Sequence, residues 1–506
     1  MRNPVTYIFL LFSIILLYWV TYIEKIGLHG DEAFFGIDSV EILINGLTRP
    51  YGMNKYSGIL QSLISSISFN IFDINVISLR IGGIICNVIA LSISLFIIRK
   101  RMNNYVLLFF LLLIAQSILI LGYSKIAWEV CSLNFLFIMI TLASTNELVR
   151  NKKSPKYCMQ FVFLFATLLG TYNHIIFSSF IVSLFMGIIF LLLFKDTKPQ
   201  NELIDIFSLI SLSLFNIVLL YAFMNYAIDY LWKTYNIFIF LLPFIFISIE
   251  ILFFKKVHSF FKILSFWLSK KTLSKSMRII IPLSLIVPYI IIHFLNVFDI
   301  LANRVLLIRL FSYELNPLLE FYFIFVALSL SIYVFYKLIF DIIKNRNNLW
   351  SYIIISYFGV LCLYTQGASI RYYLILTILQ FIYLSIKLSY ENKAVRTFFI
   401  SILIISTISI QSILWSINLN PDRKIKATTF KIGKKNTETS AHFLSFSPVI
   451  DYVHKNKIGK IETKDAFFIG QVFKFYSISM PEIKDYKHTA EINYDYSTKN
   501  TGFKID

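Results

Sequence analysis

The sequence predicts an all-α polytopic membrane protein of about thirteen transmembrane helices, with interfacial helices in its first outer loop and a small C-terminal extracytoplasmic α/β domain. Three observations predict it. Of 506 residues, 57% are hydrophobic and 15% charged, whereas a soluble domain carries about 25% charged residues; a soluble enzyme is excluded. Long apolar runs recur throughout 1–417, separated by basic clusters. The stretch 418–506 then turns polar.

The first apolar run, 5–20, follows Arg2 and has no small-x-small cleavage site behind it, so it reads as an uncleaved helix. Further runs fall near 78–98, 105–122, 127–145, 159–173, 174–194, 205–224, 235–254, 279–297, 319–340, 351–366, 371–388 and 397–417. The net charge of +19, from 47 basic and 28 acidic residues, would suggest nucleic acid in a soluble chain. In this one it follows the positive-inside pattern. With the N-terminus in the cytoplasm, the inner loops collect Arg99, Lys100 and Arg101, then Arg150, Lys152, Lys153 and Lys156, then the basic cluster from Lys255 to Arg278, while the outer loops are richer in acids. The chain is therefore expected to be a multi-pass protein of the cytoplasmic (inner) membrane. An odd number of spans puts its C-terminal domain outside.

Residues 1–417 are expected to form the membrane domain, with 24–77 as its outer loop, and 418–506 the extracytoplasmic domain. In the latter, SPVIDYVHKN predicts a helix burying Val449, Ile450, Tyr452 and Val453, and KIGKIET a short strand. Cys86, Cys131, Cys158 and Cys362 sit in or beside apolar runs without CxxC spacing, so neither a disulfide framework nor a zinc site is expected. No histidine pair has HExxH spacing, and neither GxxxxGK[ST] nor a strand-borne GxGxxG occurs, so no metal site or nucleotide cofactor is expected.

The loop 24–77 is too polar to cross lipid. In HGDEAFFGIDSVEILING, Ala33, Ile37, Val40, Leu43 and Ile44 recur at helical spacing, with Asp31, Asp38 and Glu41 on another face, which predicts a helix in the interface plane. A second short helix is expected over 57–72. Asp31 and Glu32 head the first helix, where free amide N–H groups favour negative charge, so Asp31 reads as a plain N-cap. Alternatively, an acid pair beside His29 at membrane depth costs free energy and marks a functional site.

Three segments, GDEAFFG at 30–36, NKYSG at 54–58 and SLRIGG at 78–83, set Asp-Glu on an interfacial helix, a Lys ahead of a second helix and an Arg in the next span. Together with GYSKIAWEV at 122–130, LLGTYNH at 168–174 and ASIRYY at 368–373, the pattern resembles the GT-C superfamily of glycosyltransferases, in its ArnT and protein O-mannosyltransferase branch (PMT-like, RgtA/B/C/D-like). The resemblance implies a GT-C fold and inverting transfer of a hexose or pentose from a polyprenyl-phosphate donor. The acceptor would be a lipid, glycan or protein at the outer face, with membrane lipids as the surroundings and no nucleic acid involved.

It also implies roles. Asp31 would be the catalytic base, and Glu32 would orient Asp31 or a sugar hydroxyl, unless it is a solvated first-turn acid. Lys55, Arg371 and His174 would hold the donor phosphate; their plain readings are snorkelling, a span-end anchor and local satisfaction. Arg80 is expected to pair with Asp73 or Asp31. Lys125, Glu129, Arg304 and Tyr372 are further candidates, as are Arg309 and Glu314 in the loop near 298–318, while Trp128 belongs to the aromatic belt or stacks on a sugar. No cofactor is required, although a carboxylate pair can ligate Mg or Mn. A flippase of lipid-linked sugars and an O-antigen ligase or polymerase are the alternatives. Ionisable residues gathered outside the membrane disfavour the first, and a modest late outer loop without His disfavours the second.

Overall fold

The computed structural model describes residues 4–495 and 502–505, except 22, 24–25, 102, 151–155, 195–200, 236–240, 271–273, 312, 345–347, 364–369, 420–428, 433–435, 440–442 and 444. Its helices are α1 (Pro4–Thr21), α2 (Gly30–Asn45), α3 (Leu60–Ile71), α4 (Val76–Arg101), α5 (Asn104–Ala115), α6 (Ile118–Tyr123), α7 (Glu129–Ser132), α8 (Asn134–Arg150), α9 (Lys156–Asn173), α10 (Ser178–Phe194), α11 (Asn201–Ala222), α12 (Ile228–Tyr235), α13 (Leu242–Lys270), α14 (Lys275–Leu301), α15 (Arg304–Phe311), α16 (Pro317–Ile343), α17 (Leu349–Leu363), α18 (Leu374–Ser389), α19 (Lys393–Leu419), α20 (Ser447–Asn456) and α21 (Gln471–Ser479). Strands β1 (Thr429–Ile432) and β2 (Asn436–Thr439) form an antiparallel pair, and β3 (Ile458–Glu462), β4 (His488–Asp495) and β5 (Gly502–Ile505) a sheet of order β3-β4-β5. The protein is thus an all-α polytopic membrane protein with a small C-terminal α/β unit.

Each expected span falls on helix, but 105–122 is divided between α5 and α6 and 127–145 between α7 and α8, while of 235–254 the residues 236–240 lie outside the described ones and α13 begins at Leu242. Among the described residues, eight helical segments are long and apolar enough to cross a membrane, and α1, α5 and α17 contribute shorter apolar stretches. Two more, α9 and α13, fall outside that set because polar residues such as Gln160 and Thr167, or Glu250, Lys255 and Lys256, interrupt them. At 1.5 Å per residue α5 rises about 18 Å, short of a bilayer core of about 30 Å. It breaks at Gln116–Ser117 and resumes as α6. Asn303, at φ 60°, bridges the break: its Oδ1 accepts from the Ile118 amide at 2.8 Å and its Nδ2 donates to the Gln116 carbonyl at 2.8 Å. Backbone groups freed by the break are thereby satisfied, as a buried helix end requires.

The interfacial helices form where expected but bury their faces differently. In α2, Ala33 and Val40 are buried, yet Leu43 is 40% and Ile44 73% exposed, because the tail covers only the first turns. Helix α3 is inverted. It buries Gln61, Ser62, Ser65 and Ser66 against α4 and α7 while Ile67 and Ile71 point outward at 61% and 67% exposure. The hydroxyls of Ser66 and Ser68 bond backward to the carbonyls of Leu63 and Ile64, and that of Ser65 reaches across to the Leu79 carbonyl of α4 at 3.1 Å, while the outward isoleucines suit lipid rather than water.

In the tail, α20 buries Val449, Ile450 and Val453, with Tyr452 half-buried, and the strand expected at KIGKIET is β3. The tail does not stand apart from the membrane domain. Phe446, Val449, Val453, Ile469, Val472 and Phe475 share one hydrophobic cluster with Leu28, Ala33 and Val40 of the first outer loop, Phe69 of α3, Leu79 of α4 and Ala127.

Candidate active site

Helix α2 begins against three other parts of the chain. Its N-cap is His29, whose Nδ1 accepts the Asp31 amide at 3.1 Å, so Asp31 is not the cap and its side chain is available for other work. Asp31 Oδ2 receives Arg371 Nη1 at 2.9 Å and lies 3.8 Å from His29 Nδ1. Among the described residues Oδ1 has no hydrogen bond. Arg371, from the 3-10 turn that leads into α18, stacks on Trp128, with its Cζ 4.3 Å from the ring centroid, and lies 5.5 Å from the Tyr372 ring. An aromatic face holds a guanidinium in plane without spending its N–H donors. Arg371 Nε keeps its donor unspent among the described residues. Trp128 is itself fully buried and belongs to no interfacial belt.

Glu32 turns the other way. Arg80 clasps both its oxygens, Nε to Oε1 and Nη2 to Oε2 at 2.6 Å, and the Ala127 amide donates to Oε1 at 2.8 Å. Arg80 Nη1 also bonds the carbonyls of Ile23 and Ile26, at 2.5 and 2.8 Å. Both side chains are completely buried. The partner of Arg80 is therefore Glu32, not Asp73 or Asp31, and Glu32 is neither solvated nor directed at Asp31. Acids one residue apart on a helix diverge by about 100°, which sends one toward α4 and the other toward Arg371. The two carboxylates consequently present no shared pair of free oxygens to a cation.

Glu129, at the head of α7, faces His174, with Nε2 to Oε1 at 3.8 Å. His174 Nδ1 accepts the Ile176 amide at 3.0 Å, which in the neutral ring assigns the proton to Nε2. Its ring centroid lies 5.5 Å from Tyr372 and 5.4 Å from Tyr56. Burial, followed by the neighbouring Tyr372, raises the Tyr56 phenol above its ordinary pKa. The loop 50–58 is stitched here by Ile175 N–H to the Tyr56 carbonyl at 3.0 Å and Gly58 N–H to the Asn173 carbonyl at 3.1 Å. Lys55 and Tyr56 open a cleft of about 200 Å³, walled by Tyr172, Ile175, Leu220 and Met224. The Lys55 ammonium is held there by Asp229 at the start of α12, Nζ to Oδ2 at 2.5 Å, with the Tyr51 hydroxyl on Oδ1 at 3.3 Å.

The remaining candidates divide. Tyr372 joins Arg371 and His174. Lys125 is buried with its Nζ 3.7 Å from the Tyr18 ring centroid; burial, with Arg80 adding in the same direction, pulls its pKa well below that of an ordinary lysine. Arg304 is half-exposed in an ion pair with Glu320 at 3.0 Å, outside the cluster. Arg309 is buried, 5.6 Å from the Tyr123 ring and 5.1 Å from Phe443. Ala368 and Ser369, ahead of Arg371 in sequence, lie outside the described residues.

Sequence reasoning missed His29 as the cap, Asp229 as the partner of Lys55, and Phe443 and Phe468 of the tail, whose rings lie 5.0 Å from His29. Nothing in the sequence marks those two out from the other six phenylalanines of the tail. Among the described residues no group of three or more His, Cys, Asp or Glu is arranged to hold a metal ion.

Fold and site together describe a multi-pass membrane protein with a half-buried acid–arginine pair where its first outer loop meets a late helix. No family model matches the chain, and no curated protein does. Two solved structures of ArnT from Cupriavidus metallidurans are similar to it. The apo structure matches with a TM-score of 0.35 and 9% identity over 75% of this chain and 77% of that one. The structure bound to undecaprenyl phosphate matches with a TM-score of 0.39 and 8% identity over 97% and 94%. The chemistry rests on this chain's own side chains.

Proposed function

We propose that this protein is an inverting glycosyltransferase, moving a sugar from a polyprenyl-phosphate donor to a lipid, glycan or protein acceptor at the outer face of the cytoplasmic membrane. The N-terminus is cytoplasmic and the tail external in this reading. The observation that carries it is the Asp31–Arg371 pair at the inner end of a row of side chains running from Lys55 and its cleft through Tyr56, His174 and Tyr372. An amphiphilic donor suits that layout: its chain stays among apolar helices while its phosphate meets fixed cations.

In one displacement the acceptor hydroxyl oxygen attacks the anomeric carbon as its proton passes to an Asp31 oxygen. The bond from that carbon to the phosphate oxygen breaks, and its electron pair leaves with the polyprenyl phosphate. Lys55, the unspent Nε–H of Arg371 and the Nε2–H of His174 are the donors for the charge that develops. The Lys55 ammonium becomes available once Asp229 is displaced. Lys55 and Arg371 supply the positive charge, so no added metal ion is required, and a chelator is expected to leave turnover unchanged.

The test compares polyprenyl-phosphate sugars, by mass spectrometry of lipid extracts, in cells with the native protein, without it, and with Asp31→Asn at matched membrane abundance. Accumulation of one lipid-linked sugar in both altered strains supports the reading. Accumulation in the deletion alone overturns Asp31 as base and favours transport, and accumulation in neither overturns the polyprenyl donor.

A further inference from the structure

The tail reaches into the site at one place. The Phe443 carbonyl accepts the Gly27 amide at 3.1 Å, which fixes its ring 5.0 Å from His29 and 5.9 Å from Trp128. Phe468 meets His29 edge-on at 5.0 Å, and Trp128 meets it edge-on at 4.7 Å. The His29 ring is therefore enclosed by three aromatic rings, two of them from the tail. Contact between the tail and α2 leaves no room for a side chain: a Cβ at Gly30 would stand 2.8 Å from the Phe467 carbonyl oxygen, and one at Gly36 would stand 2.5 Å from the Phe475 ring. Since His29 Nδ1 accepts the Asp31 amide, the orientation of that ring sets the first turn of α2 and thus where the Asp31 carboxylate starts.

We infer that Phe443 and Phe468 are positioning residues for Asp31, acting through the His29 cap, so that the extracytoplasmic tail completes the catalytic geometry of the membrane domain. This rests on the reading of Asp31 as base. Neither ring touches the reacting atoms. Their contribution is to hold a carboxylate that must meet an acceptor hydroxyl at hydrogen-bond distance, where a misplacement of about 1 Å costs roughly a hundredfold in rate. The surrounding cluster of Phe446, Val449 and Phe475 docks the tail independently of these two rings, so they can be altered without releasing it.

The experiment uses the full chain, with Phe443→Ala, Phe468→Ala, the double variant and Phe443→Tyr, acting on the lipid-linked sugar purified from cells that lack the protein. The double variant is expected to lose about tenfold to a hundredfold in kcat, with the donor KM within twofold of native. Phe443→Tyr is expected to restore most of the Phe443→Ala loss. Independently of turnover, hydrogen exchange of the amides at 29–33 is expected to quicken in the double variant while that of α3 stays unchanged. A double variant with native kcat, or with native exchange at 29–33, overturns the inference. So does a parallel fall of kcat, donor affinity and melting temperature, which is the signature of plain undocking. If Asp31→Asn is inactive while the double variant is fully active, only this inference fails; an active Asp31→Asn removes the base and this inference with it.

Discussion

An acid–cation cluster stands at each end of α18, and the two are built on opposite principles. At its C-terminal end both oxygens of Asp341 are engaged, Oδ1 by Lys387 at 2.8 Å and Oδ2 by four groups. Lys387 approaches its Oδ2 to 2.6 Å, the Ser351 hydroxyl donates at 2.6 Å, Asn348 at 2.8 Å and Tyr383 at 3.1 Å. At the other end, some 24 Å away by helical rise, Asp31 has one arginine on one oxygen and no hydrogen bond on the other among the described residues. Similar residue types are present in both. A carboxylate with both oxygens engaged is a fastener, whereas one with an open oxygen beside an arginine with an unspent N–H is equipped to take a proton. The Glu32–Arg80 pair belongs with the fasteners although it lies next to Asp31 in sequence.

The largest effect expected from this contrast is on turnover. Asp31→Asn is expected to reduce it by about 10²- to 10⁴-fold without lowering membrane abundance; a normal rate in single-turnover assays would erase the distinction. Asp341→Ala is its mirror image. It strands the Lys387 ammonium and is expected to cost about 3–5 kcal/mol of stability, read as a lower melting temperature in detergent, while turnover per folded molecule is retained. Arg371→Lys keeps the charge but loses the fork and the stacking on Trp128, and is expected to lower turnover about tenfold with a smaller change in melting temperature. The smallest effect concerns the cleft. Asp229→Asn releases Lys55 from its ion pair and is expected to tighten binding of a polyprenyl monophosphate probe a few-fold, since exposed pairs are worth about 0–1 kcal/mol; weaker binding would mean that Asp229 helps to build the cleft.

Much of this was legible in the sequence because lipid imposes simple rules. The apolar runs located the long helices, though not the breaks within them, and the loop too polar to cross yielded both interfacial helices. What stayed hidden was pairing. Arg80 lies 48 residues from Glu32 and Lys55 lies 174 residues from Asp229, distances over which periodicity carries no information. The inverted α3 was hidden for another reason: helical spacing finds an apolar face but does not say whether protein or lipid receives it. Trp128 was expected at an interface, since a tryptophan near an outer turn looks the same in sequence whether it lies in headgroups or beneath an arginine.

The clasp of Arg80 on Glu32 and on the carbonyls that follow α1 also sets an order of events during synthesis. Domains form as the chain emerges, N-terminal part first, and the outer loop is made before Arg80 exists. Until α4 has been made, Glu32 lacks its arginine and the carbonyls of Ile23 and Ile26 lack the donor that closes them. The first outer loop therefore begins to close only with the arrival of α4, and it is completed later still, by the Ala127 amide on Glu32, by Arg371 on Asp31 and by the tail on α2.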